Sequence, residues 1–162
     1  MPIVPFESLP PESRIWIFAS DRPLDGAESG RLLGEVDAYL ERWQAHGEPL
    51  RTARHWSDAH FLVIGVDPRT ANASGCSIDG LFRQLQRLQD EIGARLIGGG
   101  RVFYRDASGA PRLASRDEFS TLARGGEVTQ ETPVFDTSLT TLGAWSDGFE
   151  RPAGEAWTRA LL

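Results

Sequence analysis

A chain of 162 residues, 40% of them hydrophobic, is sized for one globular domain with a sizeable core. Its net charge of −6, from 23 acidic against 17 basic residues, disfavours a nucleic-acid partner, and no apolar run approaches the roughly 20 residues that a bilayer span requires. One cysteine excludes an internal disulfide, and because all 17 basic residues are arginine, phosphate-loop, Schiff-base and pyridoxal-phosphate chemistry lack the lysine they need.

The first element is Arg14-Ile15-Trp16-Ile17-Phe18-Ala19, a continuous apolar run between Pro10-Pro11 and Asp21-Arg22-Pro23, and it reads as a buried central strand. From about Glu28 to His46, Leu32, Leu33, Val36, Tyr39, Leu40 and Trp43 recur at helical steps, with Gly47 as the stop. Leu50 to Trp56 reads as a half-exposed strand, Ser57-Asp58-Ala59 as a turn and Phe61 to Val66 as a second buried strand, so this pair forms a hairpin. Ile78, Leu81, Phe82, Leu85, Leu88 and Ile92 trace a second helical stripe that Gly93 ends. Gly98-Gly99-Gly100 follows a helix and precedes a strand, the reverse of a phosphate cradle, and reads as a loop. Arg101 to Arg105 is then a strand, and the Asp106 to Gly109 turn leads to another near Pro111 to Ala114.

Strand, helix, strand, strand, helix, strand is the order of a ferredoxin-like (βαββαβ) antiparallel α+β sandwich. The continuous apolar runs suit its central strands, and the charged segments around Arg51 to Trp56 and Arg101 to Arg105 suit its edges. The expectation is a single domain over residues 1–162, with a core at about 13–106 and a C-terminal α/β extension over about 107–162. That extension holds a helix at Arg116 to Ala123, a strand at Pro133-Val134-Phe135 and short helices around Ser138 to Trp145 and Pro152 to Leu161. The sandwich leaves one sheet face without helices, where Trp16, Phe18, His55, Trp56 and Tyr104 would lie. Either the extension or a second copy in a homodimer would cover it.

The lone cysteine sits in Ala73-Ser74-Gly75-Cys76-Ser77-Ile78-Asp79, where the second helix begins. Unpartnered N–H groups and the helix dipole favour a thiolate there, although the position equally suits a small structural residue. The topology brings the end of the first helix, with Trp43 and His46, and the entry to strand one, with Arg14, to the same end of the sheet. His60 starts a strand at the opposite end. Cys76 is thus a candidate nucleophile or redox thiol, His46 its base, and Asp79 or Ser77 an orienting or capping group. Backbone amides from Ser74 and Gly75 to Ser77, with Arg14 and Arg69 nearby, would receive a small or anionic ligand beside Trp43. His46, His55, His60 and Cys76 show no zinc-type spacing, so no metal and no cofactor are expected.

Several of these segments together resemble an uncharacterised bacterial family whose members often carry the label "ABC transporter ATPase". They are the Arg14-Ile15-Trp16-Ile17-Phe18 strand, Trp43-Gln44-Ala45-His46-Gly47, Phe61-Leu62-Val63, the cysteine heptapeptide, Val134-Phe135-Asp136 and Trp157-Thr158-Arg159-Ala160-Leu161-Leu162. The resemblance covers nearly the whole chain, and the heptapeptide is its most specific element. The activity in the label is excluded, because the chain has no Walker A loop and no lysine to build one. The resemblance transfers no catalytic residues.

The opening Met1-Pro2-Ile3-Val4-Pro5 lacks the basic and long apolar regions of a signal peptide, so a cytoplasmic protein is expected. The functional expectation is a module that binds a small ligand or a protein partner in a regulatory role. The alternative is a thiol-dependent enzyme or redox protein built on Cys76.

Overall fold

The run Arg14–Ser20 forms strand β1, and its alternation decides the layering of the molecule. Neighbouring side chains on a strand point to opposite faces. Trp16 and Phe18 therefore face one way, with Leu62, Ile64 and Val66, while Ile15, Ile17 and Ala19 face the other, with Ala53, Phe61 and Val63. Both sets are apolar, so both faces need a covering layer.

A computed structural model describes residues 3–45, 48–70, 75–97 and 100–162, with the backbone alone at 44–45, 48–49, 75–77 and 97. After β1 come helix α1 (Gly26–Arg42), the paired β2 (Gln44–Ala45) and β3 (Glu48–Pro49), the hairpin of β4 (Thr52–Ser57) and β5 (Phe61–Val66), and helix α2 (Gly75–Ile92). Then follow β6 (Leu96–Ile97), β7 (Val102–Arg105), β8 (Pro111–Ala114), α3 (Arg116–Arg124), β9 (Pro133–Phe135), α4 (Leu142–Gly148) and β10 (Glu150–Pro152). Among the described residues these build two four-stranded antiparallel sheets, ordered β4-β5-β1-β6 and β10-β9-β7-β8.

The helices pack on one face of the first sheet. Leu32, Val36 and Leu40 of α1 and Ile78, Leu81, Leu85 and Leu88 of α2 bury against Phe18, Leu62 and Ile64. Helix α1 starts in a capping box, in which Asp25 accepts from the Glu28 amide at 2.8 Å and the Glu28 carboxylate accepts from the Asp25 amide at 3.0 Å. Arg22 donates to both Glu28 oxygens and to the Ile92 carbonyl, which joins the start of α1 to the end of α2.

The chain's own second sheet covers the other face. Phe61 meets Phe135, Phe149 and Phe103 at ring-centroid distances of 4.5, 5.2 and 5.3 Å. Phe6 and Leu9, from the 3-10 turn Phe6–Ser8 and the residue after it, fill the remainder, and Gly65 makes room for them. A Cβ on Gly65 would stand 2.8 Å from Leu9 Cδ1. Arg105 links the two sheets: its guanidinium lies 4.9 Å from the Phe135 ring centre, pairs with both oxygens of Glu150 at 2.9 Å and reaches Asp58 in the β4–β5 turn at 3.2 Å.

Several sequence expectations change. Arg101 to Arg105 does not close the first sheet as its fourth strand; β6 pairs with Ala19 and Ser20, and β7 lies inside the second sheet between β8 and β9. The reason is two-sided burial, since Val102 packs with Phe119 and Val134 while Phe103 packs on Phe61. The sheet face opposite α1 and α2 is covered by the chain's own later segments, but most of the residues expected on it lie elsewhere. Trp16, Phe18 and Trp56 pack on the helical side, His55 faces the other way because it neighbours Trp56 on one strand, and Tyr104 belongs to a third cluster around Phe119. The segment expected as a helix from Ser138 stays non-helical until α4 starts at Leu142, where Thr141 caps by accepting from the Ala144 amide. The expected terminal helix is β10 followed by two 3-10 turns, Ala153–Glu155 and Trp157–Leu161.

Gly65→Val should destabilise the protein by about 1–3 kcal/mol, because added carbons push the Leu9 side chain off the sheet. Urea unfolding measures this, and an unchanged midpoint would mean that the Phe6 to Leu9 segment does not seat as described.

Candidate functional site

The end of the first sheet where α2 begins is built from an aromatic chain. The Arg14 guanidinium stands 5.0 Å over the Trp16 ring, Trp16 lies 5.9 Å from Trp43, and Trp43 lies 5.7 Å from Tyr39. Tyr39 in turn abuts α2, because a Cβ on Gly80 would come within 2.8 Å of its hydroxyl oxygen. Arg14 and Trp43 are therefore brought into one cluster, as the topology argument requires. Trp43 is nonetheless core: it is buried, caps the end of α1 and accepts the Leu50 amide on its carbonyl. Its indole Nε1 is buried without a partner among the described residues. Burial pushes the Tyr39 phenol pKa up, and the nearby Asp79 adds to that rise.

Gly75, Cys76 and Ser77 form the first residues of α2, so their backbone lies at the helix start. His46 and Ser74 lie outside the described residues, as do the side chains of Cys76 and Ser77. Asp79 is exposed and is the fifth residue of α2, too far along to cap its start. Arg69 is not free for a ligand. Its guanidinium donates to Asp67 at 2.9 and 3.1 Å, and Arg51 adds a third contact at 3.3 Å. The Asp67 carboxylate is only 1% exposed and its pKa is lowered to about 2, chiefly by the Arg69 hydrogen bonds.

A cleft of about 400 Å³ lies beside this cluster. Arg14, Trp16 and Phe18 of β1 form one wall, Phe82 and Gln86 of α2 another, and residues 137–140 the third. That last segment lies against the start of β1: the Ile15 amide donates to the Thr140 carbonyl at 2.9 Å, and Asp136 holds Ser138 by its amide and hydroxyl. Phe82, which the helical stripe placed in the core, is 39% exposed and edge-on to Phe18 at 5.4 Å. Arg14 has no carboxylate partner among the described residues. An arginine whose guanidinium lies over an indole keeps N–H groups available for a carboxylate or phosphate.

Of the residues that line this cleft, sequence reasoning points to Arg14 as a ligand contact but not to Phe82, Gln86 or the 137–140 wall. An exposed apolar residue at the edge of a helical stripe is the signal that could have found Phe82. Among the described residues no group of three or more His, Cys, Asp or Glu side chains could hold a metal ion. No described helix is long and apolar enough to cross a membrane.

The Asp67 cluster gives a pH dependence. A carboxyl whose folded pKa is depressed contributes stability above its unfolded value, near 3.8, and loses it as pH falls toward about 2. Asp67→Asn should cost about 1–3 kcal/mol at pH 6 and flatten the loss of stability between pH 4 and 2. Urea unfolding at several pH values checks this, and an unaltered acid limb would overturn it. Comparison with known proteins finds no matching family model, no matching curated protein and no matching solved structure, so the function must be argued from the residues and their geometry.

Proposed function

We propose that the chain is a binding module on a ferredoxin-like frame, and that its ligand is a small molecule with an apolar body and an anionic group. The strand order β6-β1-β5-β4, all antiparallel, with α1 and α2 on one face, supports the frame, with Leu96–Ile97 rather than Arg101 to Arg105 as the fourth strand. The observation that carries the function is the cleft itself, where an arginine without a carboxylate partner flanks apolar walls of Trp16, Phe18 and Phe82. Such a site orients its ligand by one charged contact and gains affinity from apolar burial. The reading needs no homodimer, because the second sheet covers the helix-free face. It also keeps the family resemblance while leaving out ATP hydrolysis.

Naphthalene-2-carboxylate is a suitable probe. It should produce saturable shifts in the Trp16 indole N–H resonance, and Arg14→Gln should weaken binding by about tenfold, the loss expected for one charged hydrogen bond. Equal affinity in Arg14→Gln, or shifts confined to other tryptophans, would overturn the assignment.

A second reading rests on the place of Cys76 as the second residue of α2, where helix N–H groups lower a thiol pKa. On that reading, alkylation of Cys76 titrates below the ordinary value of about 8.5, and the midpoint rises in His46→Ala. Labelling that occurs only on unfolding would retire thiol chemistry.

A further inference from the structure

A second cleft, of about 540 Å³, opens between the Phe6–Ser8 turn, β4 and α4. Three aromatic rings meet in its wall: Phe6 lies 5.5 Å from His55 and 5.2 Å from Trp145, and His55 lies 5.0 Å from Trp145. Each arrives for its own reason. His55 occupies the face of β4 opposite Arg54 and Trp56, and Trp145 follows the Thr141 cap by one helical turn, donating its amide to the Thr141 carbonyl. Backbone bonds fix the walls to one another. The Gly143 amide donates to the Pro11 carbonyl at 2.9 Å and the Leu142 amide to Ser13 at 3.0 Å, and a Cβ on Gly143 would already press on Pro11 at 3.3 Å.

The electrostatics of this cleft are opposite to those of the first. Glu7 and Asp147 line it, no arginine does, and neither carboxylate has an ion-pair partner among the described residues. Burial pushes the His55 pKa below its ordinary value, against the smaller pull of Glu7 and Asp58, so the imidazole is neutral at pH 7 and adds no positive charge. Aromatic faces carry negative electrostatic potential, and carboxylates beside them add to it. The net charge of −6 strengthens the attraction at longer range.

We propose that this cleft binds a small organic cation, an alkylammonium or arylammonium whose charged head meets the Phe6, His55 and Trp145 rings between Glu7 and Asp147. The contrast with the Arg14 cleft makes the two sites chemically distinct, and neither depends on the other.

The test pairs two isosteric probes, choline and its neutral analogue 3,3-dimethylbutan-1-ol, titrated into the full chain at low salt. The readout is the Trp145 indole N–H resonance, assigned through Trp145→Phe. Choline should shift it saturably, and the neutral alcohol should bind at least about fivefold more weakly, as expected for a cation–π and charge contribution near 1 kcal/mol. Glu7→Gln with Asp147→Asn, both at exposed positions that fold without these charges, should remove most of that difference. Equal binding of the two probes would reduce the cleft to a neutral apolar pocket, and choline that leaves Trp145 unmoved would dismiss the site. Either result overturns the proposal.

Discussion

The first sheet is buried on both faces, and the rest of the molecule follows from that constraint. Every residue of β5 is buried, and β1 presents apolar side chains on both sides. Apolar area left open to water costs about 25 cal/mol per Å², so a single helical layer would leave Ile15, Ile17, Phe61 and Val63 exposed at a cost the fold could not carry. The second sheet, the Phe6 to Leu9 segment and α4 supply the missing cover. The layers thus run from α1 and α2 through the first sheet and the second sheet to α3. The first cleft lies between β1, α2 and residues 137–140, and the second between the Phe6–Ser8 turn, β4 and α4.

Those clefts differ in sign because the residues beside them differ, not because the fold does. Around the first, Arg14 is pinned by an indole and left without a carboxylate. Around the second, two carboxylates flank rings whose only titratable member is neutral by burial. Several other arginines are committed to carboxylates: Arg22 with Glu28, Arg54 with Asp37, Arg69 and Arg51 with Asp67, and Arg105 with Glu150 and Asp58. Arg14 is set apart from the other arginines without a carboxylate by its place in a cleft walled by Trp16, Phe18 and Phe82.

Much of the first sheet was legible in the sequence, because long elements carry long signals. The continuous runs of β1 and β5 marked central strands, and the stripes from Leu32 to Trp43 and Ile78 to Ile92 marked both helices. Three strands of the second sheet were legible at their places, Val102–Arg105, Pro111–Ala114 and Pro133–Phe135, but their pairing into one sheet and the strand Glu150–Pro152 were not, since strands of three or four residues carry too short a period to show which face pairs with what. Val102-Phe103 looked like a patchy edge because two-sided burial leaves no alternation to detect. The two-residue β6 gave no signal at all. Of the candidate site, Arg14 and Trp43 were placed together through topology alone, whereas the wall formed by 137–140 is more than 120 positions from Arg14 and could not be assigned to it without coordinates. Grouping His55 with Trp56 failed on elementary geometry, as adjacent strand residues face opposite ways.

The Phe61 ring also has a temporal meaning. Its three phenylalanine neighbours come from β7, from β9 and from the residue just before β10, so the last of them is supplied 88 positions downstream, at Phe149. During synthesis the helical side of the sheet can close once α2 has emerged, but the opposite side stays partly bare until Phe149 has left the ribosome. For that interval the nascent protein carries an open apolar sheet surface, a natural docking point for a chaperone and a hazard in its absence.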